Sequence, residues 1–206
     1  MTIKPGEPWG SAVPLPAEYI EVRDDAEVAR RLRAAEDDRS APAVVIRGGD
    51  LGRTLGATGG DRPTVNELPL DLFEIRLDDA DVYLGCAHLV AHRPWWRGGW
   101  WRGPVLLVMN AEFIGAWDVA PRGHPNDGRV DVFEAAPDMS IRQRLAARRR
   151  LRSATHVPHP SIVKRSVRTA TYDYPEALTI RIDGRNIGRA ATIQVTVRPD
   201  AAVVYS

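Results

Sequence analysis

The sequence predicts an α+β fold: a short α/β (β-α-β) N-terminal unit followed by an antiparallel β-sandwich domain with one basic helix. Three observations carry this. Helical spacing of apolar residues is found over 26–35 and 139–151, whereas beyond residue 66 apolar and polar residues mostly alternate as in half-buried strands. Gly (17) and Pro (16) are plentiful, which suits short strands and turns better than a helical bundle. The 206 residues can bury a real core. The shift in pattern puts a boundary at 62/63, with 1–62 as a small α/β unit plus linker and 63–206 as the β-sandwich.

Residues 1–17 hold Pro5, Pro8, Pro14 and Pro16 and read as an extended leader. Tyr19 to Val22 is a short strand. Asp24-Asp25 then cap a helix whose Val28, Leu32 and Ala35 share one stripe. Ala43 to Ile46 is a second, buried strand that runs into Arg47-Gly48-Gly49-Asp50, completing a β-α-β unit with a glycine turn. Residues 51–66, rich in Gly, Thr and Arg, are expected to form a linker. Strands follow at 72–77 and 82–90, around a solvated turn at 78–81. His88 and His92 are expected to be packing or surface histidines.

Pro94 to Arg102 sets four tryptophans, Trp95, Trp96, Trp100 and Trp101, beside Arg97 and Arg102 around a Gly-Gly tip. This suits a membrane interface, stacking on single-stranded nucleic acid, or simple packing against the protein's own arginines. Met139 to Leu151 reads as a helix starting at Ser140, with Ile141, Leu145 and Arg148 on one face and most of its arginines solvated. Beyond 161 the chain is β, with hairpin turns expected at Asp183-Gly184 and at Pro199-Asp200-Ala201.

A formal net charge of +1 provides no bulk attraction for a polyanion, so nucleic acid is not an expected partner. The single Cys86 excludes a disulfide framework and a Cys-based zinc site. With no signal peptide and no apolar run near 18 residues, a cytoplasmic location is expected, with peripheral membrane contact left open.

The most informative stretch is 104–131. A buried strand, Val105 to Met109, leads through Asn110, Gly115, Ala120-Pro121 and the turn Pro125-Asn126-Asp127-Gly128 to a strand at Asp131-Val132-Phe133. From the residues alone this is a hairpin and a tight turn. The run Asn110…Gly115…Ala120-Pro121…Asn126-Asp127-Gly128…Asp131 also resembles the second domain of the bacterial diacylglycerol-kinase-like lipid kinases, relatives of the sphingosine and ceramide kinases. Asn126 stands in place of the first acid of that family's D-D-G.

The resemblance implies ATP-dependent phosphorylation of a lipid hydroxyl, with ATP and Mg²⁺ as cofactors. Gly48, Gly49 and Asp50 match the start of the family's G-G-D-G-T phosphate turn, with Gly52 and Thr54 displaced beyond Leu51. By resemblance, Asp183 and Asp50 are the catalytic carboxylates and Asp127 is the Mg²⁺ ligand. Three departures stand out: Leu51 inside the turn, Arg185 where the family has a glutamate after Asp183-Gly184, and too few residues before Gly48 for the usual preceding strand and helix. Arg185 is expected to depress the pKa of Asp183. Weak transfer, or a non-catalytic descendant that binds anionic lipid or a protein through the sandwich, follows from these departures. The implied partners are a lipid surface, through Trp95, Trp96, Trp100, Trp101 and the arginine-rich helix, and a second copy or another chain.

Overall fold

The computed structural model of the chain describes residues 9–38, 40–57, 63–78 and 82–206. Its strands are β1 (Ser11–Pro14), β2 (Tyr19–Val22), β3 (Ala43–Ile46), β4 (Thr64–Leu77), β5 (Val82–Gly85), β6 (His88–His92), β7 (Val105–Met109), β8 (Phe113–Ile114), β9 (Trp117–Asp118), β10 (Val130–Ala135), β11 (Ile162–Val167), β12 (Thr169–Ile182) and β13 (Arg185–Tyr205). Its helices are α1 (Asp25–Asp37), α2 (Gly49–Thr54) and α3 (Ile141–Arg150), with 3-10 turns at Trp95–Arg97, Gly99–Trp101 and Leu151–Ser153. The class is α+β, as the sequence predicts.

One eleven-stranded sheet runs β1-β4-β13-β12-β6-β7-β10-β11, with β5 on the edge of β4. The parallel pair β2-β3 joins it through β13, where Tyr205 faces Val45. Strand β4 passes from one core to another along its length. Its Leu68, Leu70 and Leu72 pack with Val28 and Leu32 of α1 and Leu51 of α2. Its Phe73, Ile75 and Leu77 join a second cluster with Leu89, Leu106, Val132, Ile180 and Ile193. Because β4 near one edge and β10 near the other feed this second cluster, the sheet curls over itself to bury its face.

Local chemistry sets the element ends. Asp24 caps α1 by accepting from the Glu27 N–H, and Ser140 caps α3 in a reciprocal capping box with Gln143. Asp183 and Gly184 take positive φ of 47° and 80° and close the tight β12–β13 hairpin.

Several expected elements differ. Residues 11–14 of the leader pair with β4, and Pro5 lies outside the described residues, as does Pro8. The linker does not begin at 51: residues 49–54 are helix α2, and β4 starts at Thr64, while 58–62 lie outside the described residues, as do 79–81 of the 78–81 turn. The 82–90 strand breaks at Cys86-Ala87, whose N–H groups turn to Asp183 instead of a neighbouring strand. Pro199-Asp200-Ala201 is not a hairpin but a bulge within continuous β13, where Asp200 N–H donates to Asp71 at 2.8 Å. On α3 the inward face is Arg144 and Ala147, and the Ile141–Leu145 side is exposed.

Candidate functional site

A polar cleft of about 360 Å³ opens where β3, β6 and the β12–β13 hairpin converge. Its walls include Arg23, Asp25, Gly49, Asp50, His88 and Asp183. His88 Nε2 lies 3.0 Å from Asp50 Oδ2, and Asp50 Oδ1 accepts from Gly115 N–H at 2.7 Å. Asp183 is buried and accepts three backbone N–H bonds, from Cys86, Ala87 and His88, each at 2.9 Å. The two carboxylates named from sequence therefore both bond to His88, Asp50 through the ring and Asp183 through the backbone N–H, a residue the sequence offered no reason to single out. His88 and Asp50 are 38 positions apart, and no local pattern pairs them.

Burial shapes the protonation here. It raises the pKa of Asp183 against the opposing pull of His88 and the backbone donors. The expected depression by Arg185 does not arise, since that side chain is exposed and burial dominates. Asp25 is pushed up to about 6 by burial and by the charges of Asp183 and Asp50, against two backbone bonds. Burial would lower His88, but the Asp50 hydrogen bond and the surrounding carboxylates outweigh it and raise the pKa.

The glycine turn is not an open phosphate cradle. Asp25 accepts from Asp50 N–H at 2.8 Å and Leu51 N–H at 3.1 Å, so the chain's own carboxylate fills the place a phosphate would take. Gly49 is needed for that approach: a Cβ there would sit 2.2 Å from Asp25 Oδ1, and its φ is +80°. Gly48 packs on the Arg23 backbone, and Gly52 is buried against Ile46. Thr54 Oγ1 donates to the Asp50 carbonyl and accepts from Glu112 N–H. Of the sequence-predicted nucleotide set, only Gly49 and Asp50 line the cleft, and the turn as folded does not fit a nucleotide phosphate.

Asp25, Asp50 and His88 do bring three ligand atoms within 4.8 Å of one another, a donor set chemically suited to a divalent cation. A cation there would have to displace the His88–Asp50 contact. Asp127 lies elsewhere, on the 125–128 turn, and its Oδ1 accepts from Arg129 N–H. That turn is held by buried Asp71, which accepts from Asn126 Nδ2, Gly128 N–H and Asp200 N–H. Asn126 Nδ2 also donates to Asp200 at 3.0 Å, so an amide links two carboxylates where a cation could otherwise bridge them. Asp127 lies outside the Asp25–Asp50–His88 group of ligand atoms.

A second cavity, also about 360 Å³, adjoins the cleft across Trp100 and Ile114, which line both. Its wall is almost wholly apolar: Trp101, Leu107, Trp117, Phe133, Ala147 and Ile162 are representative. His156 lies in this wall, 3% exposed, and burial lowers its pKa towards the neutral form against the opposing pull of Asp118 and the Val119 backbone. Buried Arg144 donates to the carbonyls of Met139, Trp100, Gly103 and Ala136, tying α3 to the tryptophan loop. One arginine of the supposedly solvated helix is therefore a structural pin.

No family model and no curated protein matches the chain. Solved structures do. A "putative diacylglycerol kinase" from Bacillus anthracis str. Sterne is similar with a TM-score of 0.64 at 13% identity, covering 91% of this chain and 77% of that one. A further structure so described has a TM-score of 0.57 at 14% identity over the same shares. A third diacylglycerol kinase structure from that organism has a TM-score of 0.54 at 13% identity, over 91% and 75% of the two chains. The chain therefore has the fold of these diacylglycerol kinases, as its 110–132 motif implied.

Proposed function

We propose that the chain is a lipid-kinase-like protein that binds a diacylglycerol-like lipid alcohol, with its acyl part in the apolar cavity and its hydroxyl end in the polar cleft. The observation that carries this is the shared wall: an apolar and a polar cavity meeting at Trp100 and Ile114 match the two ends of an amphipathic molecule. Burying acyl carbons at about 0.8 kcal/mol per CH₂ would supply the affinity. The kinase fold of the structural neighbours supports a lipid alcohol over other amphiphiles.

In this pose Asp50 is the carboxylate that reaches the hydroxyl. It is partly exposed and backed by His88, so it can accept the hydroxyl proton while the imidazole holds its orientation. Asp183 shapes the cleft from below, its oxygens committed to backbone N–H groups. A nucleotide does not fit the glycine turn filled by Asp25, so transfer by this chain alone is expected to be weak or absent.

The test is binding of dioleoylglycerol in detergent micelles, read by quenching of a brominated analogue on Trp100, Trp101 and Trp117. Wild type should bind and Ala147→Phe, which fills the cavity, should lose at least tenfold affinity at a stability cost of about 1–3 kcal/mol. Equal binding by that variant would overturn the reading. Labelled ATP with Mg²⁺ and diacylglycerol tests the second half: robust turnover by wild type would show that the turn opens to nucleotide.

A further inference from the structure

We infer that the tryptophan loop and helix α3 form a docking surface for an anionic lipid bilayer, placing the mouth of the apolar cavity against the membrane. The inference rests on the lipid reading of that cavity. Trp95 is 81% exposed and Trp96 59%, and on α3 Ile141 and Leu145 are 45% and 42% exposed. Large side chains of this kind are normally withdrawn from water. Trp95 and Trp96 meet edge to face at 6.0 Å, with Arg189 over Trp96, so packing of these indoles on the body of the protein is minor. The other two, Trp100 and Trp101, line the cavity.

Both elements border the same cavity and are locked together. Arg144 bonds the Trp100 and Gly103 carbonyls, and the Arg148 guanidinium lies 5.6 Å from the Trp101 ring and 5.5 Å from the Trp117 ring. The loop, α3 and the 3-10 turn after it also carry exposed Arg102, Arg142, Arg149, Arg150 and Arg152, with no ion pair among the described residues. The nearby acids are few: Glu176 pairs with Arg97, and Asp138 precedes α3.

Indoles seat at headgroup depth while guanidinium groups bind lipid phosphate in bidentate fashion, and the chain carries both on the two elements that border this cavity. Each arginine near an anionic surface should raise affinity about fivefold. A nucleic-acid partner would use the arginines but leave Ile141 and Leu145 unexplained, and a net charge of +1 gives no long-range attraction for one.

The experiment mixes the full chain with phosphatidylcholine vesicles, with and without phosphatidylglycerol, and reads co-sedimentation and tryptophan emission. Binding and a blue shift are expected only with phosphatidylglycerol, and both should weaken with salt. Trp95→Ala with Trp96→Ala should cut binding at least tenfold and remove most of the shift. Arg142→Gln with Arg149→Gln should cut binding roughly twenty-fivefold. These exposed positions should leave thermal unfolding unchanged. No sedimentation with anionic vesicles at low salt, full binding by the tryptophan variant, or binding to single-stranded DNA in place of vesicles would each overturn the inference. If dioleoylglycerol in detergent still binds in that case, the docking surface fails and the cavity reading stands.

Discussion

The polar cleft and the apolar cavity share Trp100 and Ile114 but are built in opposite ways. The cleft gathers residues from 23–25, 49–50, 88–90 and 181–184, and its carboxylates are held by hydrogen bonds to other segments. The cavity draws its wall from 100–162, and apolar bulk with one pinned arginine suffices. A buried polar group without its partner costs far more than a slightly misplaced methyl. The cleft should therefore be brittle to single substitutions and the cavity tolerant.

The sharpest way to break that contrast is Asp183→Ala. It strands three buried N–H groups, and an unfolding loss on the order of 4 kcal/mol is expected by urea titration. Stability within about 1 kcal/mol of wild type would mean that Asp183 is a free site group rather than an anchor.

Next in size is the pH dependence of Asp25. Its pKa is higher folded, at about 6, than the ordinary 3.8, so the protonated form favours the fold. Its contribution is complete below about 4 and is lost as pH rises through about 6, some 3 kcal/mol in all. Asp25→Asn keeps one acceptor oxygen, for either the Asp50 or the Leu51 N–H, and cannot titrate. The gap between wild-type and variant melting temperatures should therefore change over this window; parallel curves would refute the buried, charge-crowded cleft. His88, also raised, shifts wild-type stability in the same direction.

Smaller still, Arg144→Met takes the side-chain donor from the carbonyls of Met139, Trp100 and Gly103 but keeps aliphatic bulk, while the Ala136 carbonyl still accepts from Met139 N–H. A loss of about 2 kcal/mol and weaker lipid binding are expected by melting and micelle titration. Unchanged lipid binding would show that the tryptophan loop does not depend on this pin.

Much of the fold was legible locally. The strands at 19–22, 43–46 and 105–109 coincide with their predicted runs, and Asp24 and Ser140 cap the helices expected of them. The 110–132 motif indicated the fold that the structural neighbours share. Both carboxylates of the resemblance, Asp50 and Asp183, do lie in one cleft.

What stayed illegible depends on partners distant in sequence. Nothing near His88 announces Asp50, and nothing near the glycine turn announces that Asp25, 25 positions away, will occupy it. Arg144 looks like its neighbours on α3 until the loop carbonyls surround it. Periodicity and capping act within a turn or two of chain, so the sequence alone determines the elements and their buried faces. Which polar group meets which is decided by the closing of the sheet, because only the assembled fold sets which buried donors and acceptors must find one another.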